Sequence, residues 1–148
     1  MTFSPHPQAE ERRRSATALV KLLLANRGGD VLTTHLRELL RILLWKMTQA
    51  EASTHRTRFQ SETALRAPTG EPLRHDHVFQ SAKMIDELLE AASEDAIEGI
   101  LACAVGCTVT LDEHSRLHCF DDEYGWERYR KAGIVVLDTL EHPPKPLV

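Results

Sequence analysis

Two leucine-rich stretches in the first third of the chain constrain its fold more than any other feature. Ala16, Leu19, Val20 and Leu23 recur at i, i+3, i+4, i+7, and this spacing predicts a first helix from about Pro7 to Asn26. Asn26-Arg-Gly-Gly-Asp30 ends it, because Gly28 and Gly29 suit a helix C-cap and turn. A second stripe of Leu32, Leu36, Leu39, Leu40, Leu43 and Met47 predicts an amphipathic helix ending near Ala50. Two such helices across a short turn form an antiparallel hairpin with a shared apolar seam. The hairpin is expected to serve as scaffold, or as an interface to a second copy or a protein partner through the 32–47 helix.

After Glu51 the helical period disappears. Thr57 to Ala64 has strand character, and Pro68-Thr-Gly70 marks a turn. Leu73 to Phe79 alternates with period two, so Leu73, His75, His77 and Phe79 share one face and Arg74, Asp76 and Val78 the other. Ser81 is a candidate cap for a helix carrying Met84, Ile85, Leu88 and Leu89, and Ser93 for one carrying Ile97, Ile100, Leu101 and Ala104. Val105 to Thr110 reads as a short strand. Thr110-Leu-Asp-Glu113 matches a capping box and starts a further helix at Leu111. Trp126 and Tyr129 mark a last helix, stopped by Gly133, before a closing strand from Ile134 to Leu137. The expected class is α+β: one domain over 1–148, with a helical hairpin packed on a small sheet with further helices, and loose termini at 1–6 and 142–148.

Composition adds boundaries. A chain of 148 residues with 42% hydrophobic and 27% charged residues buries a core without disulfide staples. It has no apolar run near the roughly 20 residues of a membrane span and no signal-peptide pattern at its start, so a cytoplasmic location without membrane contact is expected. The three cysteines, Cys103, Cys107 and Cys119, are an odd number and read as free thiols or metal ligands. Residues 1–66 hold eleven of the 18 Lys/Arg and six of the 22 Asp/Glu, leaving seven and sixteen for residues 67–148. Such an asymmetry arises from a phosphate-facing basic side or from two halves that attract each other.

The chemistry-bearing residues cluster in Arg74-His-Asp-His-Val78 and, downstream, at His114. On an ideal strand His75 and His77 share a face and could hold one divalent ion, which makes His75 a candidate metal ligand. With a bend at Asp76, Asp76 and His77 instead approach a common centre, Asp76 binding a cation while neutral His77 takes a proton from water. His114 lies in the first turns of the helix that Thr110 caps. Arg56, Arg58 and Arg66, with Arg74, form a candidate phosphate clamp. A competing zinc site would draw on Cys103, Cys107, His114 and His118 or Cys119.

An Asp-His-Val strand followed by a strand and a helix with an inward histidine resembles the ββα-metal element of the HNH (His-Me finger) nucleases. The resemblance spans about Arg74–Phe79 and Cys107–Leu117, with a helical insertion between. It implies Asp76 and His114 as ligands of a divalent ion (magnesium, manganese or zinc). His77 would be the general base, and the substrate a nucleic acid, DNA first. Two alternatives to a metal-dependent endonuclease are a non-enzymatic protein-binding adaptor or inhibitor, and a nucleic-acid-binding regulator.

Overall fold

The computed structural model describes residues 3–148. Its first two helices, α1 (Ala9–Ala25) and α2 (Thr33–Thr48), form the expected antiparallel hairpin. β1 (Phe59–Ser61) runs straight into the short helix α3 (Glu62–Arg66), because the Ser61 side chain accepts the Ala64 amide as an N-cap. The strand expected over Thr57 to Ala64 is therefore only three residues long. β2 (Leu73–His77) is followed by α4 (Ser81–Glu90) and α5 (Glu94–Leu101). Ser93 caps α5 as expected, whereas α4 starts one residue earlier than anticipated, with Gln80 rather than Ser81 at its cap.

β3 (Gly106–Thr110) leads directly into α6 (Leu111–Leu117) through the expected capping box. The Thr110 hydroxyl accepts the Glu113 amide at 3.2 Å, and the Glu113 carboxylate accepts the Thr110 amide at 2.9 Å. A 3-10 turn at His118–Phe120, α7 (Trp126–Lys131), β4 (Val136–Asp138) and β5 (Lys145–Pro146) complete the chain. The tail beyond His142, expected to be loose, instead adds β5 to the sheet, with the Leu147 amide bonded to the Val136 carbonyl at 2.8 Å. At the other end, the His6 amide donates to the Glu51 carbonyl at 2.9 Å, so residues 3–6, also expected to be loose, are tied down there. Met1 and Thr2 lie outside the described residues.

The sheet order is β2-β3-β1-β4-β5, with β1 and β3 parallel and the other neighbours antiparallel. Two apolar cores follow. One joins α1, α2, α4 and α5 through Val20, Leu24, Leu36, Leu40, Leu44 and Leu88. The other lies between one face of the sheet and α6 and α7, around Val78, Cys107, Val109, Leu117, Tyr129 and Ile134.

Part of the charge asymmetry is met inside the molecule. Arg13 donates to the Leu101 carbonyl and Arg27 to the Leu88 carbonyl, so first-half cations cover the ends of second-half helices. Lys21 pairs with Glu98, Arg37 with Asp86 and Arg58 with Asp138. None of the helices over the described residues is long and apolar enough to cross a membrane.

Candidate functional site

β2 is the strand on which the candidate residues meet, and its pleat decides what they can do together. Register pairs His75 with Thr108, Asp76 with Cys107 and His77 with Gly106. Asp76 thus shares the face of Cys107, toward α6 and α7, while His75 and His77 occupy the opposite face, under the end of α2. The bend at Asp76 that would swing His77 round is absent: β2 stays paired through His77.

Asp76 is buried and held from two sides. Its Oδ2 accepts hydrogen bonds from the Arg128 guanidinium and the Tyr129 hydroxyl. Arg128, itself 3% exposed, also donates to the His77 carbonyl at 2.9 Å and to Asp121 at 3.3 Å. His114 reaches the other oxygen, with Nε2 3.7 Å from Asp76 Oδ1. The capping box fixes its position by fixing the first turn of α6, and Ser61 anchors Glu113 from the next strand with a further hydrogen bond. Burial lowers the pKa of His114, and Asp76 opposes that shift. Burial also raises the Cys107 thiol well above its ordinary range, so Cys107 is an apolar core residue at neutral pH.

On the other face the imidazoles serve packing. His75 Nε2 lies 2.9 Å from the Thr48 hydroxyl, which donates its own hydrogen to the Trp45 carbonyl at 2.8 Å. Nε2 must then carry the proton, which leaves Nδ1 as the bare nitrogen. The Trp45 ring covers both rings, at centroid distances of 4.6 Å to His75 and 5.4 Å to His77. Burial, with His77 as a lesser cause, pushes the His75 pKa down to about 4, and burial lowers that of His77 as well.

A pH dependence follows. Between about pH 6.5 and 4 the unfolded chain binds a proton that folded His75 refuses, so stability is complete above this window and falls on acidification through it. About 2–3 kcal/mol is expected to be lost from His75 alone. Urea midpoints at pH 7.5 and 4.5 measure this, and His75→Gln should flatten the slope.

The donor set for a divalent ion is correspondingly thin. Of the four residues expected to gather round one, Asp76 and His114 come together on one face of β2, whereas His75 and His77 meet each other on the opposite face, with ring centroids 5.7 Å apart. Asp76 has one oxygen left, and its charge is already met by Arg128. Among the described residues no three His, Cys, Asp or Glu side chains converge at ligand spacing. The three cysteines are separated by burial, with Cys107 inside, Cys119 exposed and Cys103 between. Of the expected ligands, this arrangement leaves Asp76 Oδ1 and His114 Nε2 as the pair that faces one point.

The expected phosphate clamp is also dispersed. Arg56 donates to Gln60 and to the Ala64 carbonyl, Arg58 is bidentate on Asp138, and Arg66 pairs with Glu62. Arg74 alone is exposed on the Asp76 face of β2. Arg128 and Tyr129 hold the site together. Their segment is visible in the sequence as interleaved aromatics and arginines, but nothing in it signals a partner 52 residues away.

No family model, curated protein or solved structure matches this chain. What the molecule does is carried by its own surfaces. The most unusual of them is the outer side of the α1–α2 hairpin. Half of the sixteen residues of α2 are large and apolar, more than one helix face can bury. Leu36, Leu40, Leu44 and Met47 enter the core, while Leu32 is 60% exposed, Ile42 55% and Leu39 45%. The sequence stripe assigned Leu32 and Leu39 to the seam. The helix is rotated so that Leu44 takes the inner place. On α1, Leu22 is 61% exposed and Leu19 46%, beside the same surface.

Proposed function

We propose that this protein is a non-enzymatic association module that binds another polypeptide through the outer face of its α1–α2 hairpin. The observation that carries this is the second apolar stripe: five large aliphatic side chains, from two adjacent helices, left about half exposed. Completing their burial is worth about 1 kcal/mol each, which together offsets a substantial part of the cost of association. Scattered exposed leucines need no explanation, but contiguous ones mark interaction surfaces. The histidines and the buried ion pair then belong to the scaffold that holds the hairpin against the sheet.

Photo-crosslinking in cells tests this. A benzophenone amino acid at position 22 or 42 is expected to give covalent adducts, and one at the exposed Ser115 is not. Absence of adducts at both hairpin positions would remove the proposal.

A second reading, metal-dependent cleavage of a nucleic acid, is favoured by one observation. The antiparallel β2–β3 pair runs into α6, and this brings Asp76 and His114 within 3.7 Å on the side where Arg74 is exposed. In that case His114, not His77, would be the base beside Asp76. Failure to nick plasmid DNA with magnesium, manganese or zinc would exclude it.

A further inference from the structure

We infer that the occupant of the hairpin face is a second copy of this chain, laid antiparallel on the first about a two-fold axis. This rests on the association reading and names its partner.

The face is apolar at its centre and charged only at its ends. Its α1 residues are Ser15, Leu19, Leu22, Leu23 and Asn26, and its α2 residues Leu32, His35, Leu39, Ile42 and Leu43, with no Asp, Glu, Lys or Arg among them. At the open end of the hairpin, Arg12 and Lys46 line a groove of about 670 Å³ floored by Leu19 and Leu43, with Glu11 beside Arg12. At the turn end stands Asp30. Elsewhere on the two helices Arg14, Lys21 and Arg37 pair with carboxylates; Arg12, Lys46 and Asp30, like Glu11, Glu38 and Arg41, have no ion pair among the described residues, and Arg12 lies 3.0 Å from His6 Nε2.

A two-fold axis lying in the interface plane, perpendicular to the helices, sets the open end of each copy over the turn of the other. That places Arg12 and Lys46 of one copy at Asp30 of its partner, twice, while Leu19, Leu22, Leu39 and Ile42 meet their counterparts in the middle. Such a surface is self-complementary, as an isologous interface requires. The product is a four-helix packing between two hairpins, a common way to bury two-sided helices. Helices of 16 and 17 residues, roughly 25 Å long and about 10 Å apart, present a face on the scale of a small dimer interface.

Sedimentation equilibrium of the full chain tests this directly. The wild type is expected at twice 16.7 kDa, and Leu22→Glu with Ile42→Glu at once that mass, with its helical circular dichroism kept. Because each ion pair occurs twice, Lys46→Asp and Asp30→Lys should each weaken dimerisation by about 3- to 10-fold. Their combination should restore it to within about 2-fold, since the exchanged charges meet again.

A wild type that stays monomeric at about 100 µM, a dimer that survives the double glutamate change, or a charge exchange without rescue would each overturn the inference. A monomer that still forms hairpin adducts with a different protein overturns the second copy and leaves the association reading standing. A chain without adducts at positions 22 and 42 removes both.

Discussion

Arg128→Ala is expected to cost the fold about 3–5 kcal/mol, the largest loss of any single side-chain truncation outside the apolar cores. The guanidinium is 3% exposed and pairs with buried Asp76, whose Oδ2 it shares with the Tyr129 hydroxyl. Removing it strands a carboxylate where water cannot replace the lost charge, and also unties the His77 carbonyl and Asp121. Replacing both partners with apolar residues of similar size, Asp76→Leu with Arg128→Met, removes the charge and the need for it together. Its cost should be well below the sum of the single changes. Urea unfolding of the two single variants and the double variant measures the coupling. Additive losses would mean that the ion pair does not organise this side of the sheet.

Gly106→Ala should be nearly as damaging, at about 3 kcal/mol, through sterics instead of charge. Gly106 sits opposite His77 in the β2–β3 ladder, and a methyl group there would overlap His75 Cε1. It would also lie 2.9 Å from His75 Nε2 and 3.0 Å from the Thr48 carbonyl. The ring cannot retreat, because Trp45 lies over it and Thr48 holds its Nε2. Glycine at 106 is thus what lets the end of α2 dock on the sheet. In a His75→Ala background the cost of Gly106→Ala should fall to about 1 kcal/mol, and thermal unfolding of the four proteins of this cycle measures it. An unchanged cost would show that the ring is not what the methyl group meets.

Elements set by local chemistry were legible in the sequence. The hairpin follows from two helical stripes and a Gly-Gly turn. The start of α6 follows from a capping box whose two hydrogen bonds are both present, and the Ser93 cap follows in the same way. The alternation along β2 correctly separated His75 and His77 from Asp76. What remained hidden depends on long-range pairing. The tail became β5 because Val136 and Leu137 offered it a strand edge, which no local signal announces. The stretch from Thr57 was cut short because Ser61 caps a helix. The rotation of α2 could not be read from a helix apolar on most of its circumference, since Leu43 and Leu44 suit the seam equally well. The geometry of the site was hidden for a related reason. A bent strand and a straight one have the same sequence, and only the straight one places Asp76 before Arg128 and the two imidazoles beneath Trp45.

That division of β2 into two faces underlies the whole account, and imidazole nitrogen spectra during a zinc titration test it most directly. The His75 and His77 ring nitrogens should hold their positions at one equivalent of zinc, with His75 protonated on Nε2, whatever half-buried His114 and exposed His118 do. Concerted movement of the His77 and His114 nitrogens at one equivalent would place both rings on a single ion. The division would then be wrong, and the catalytic reading would displace association.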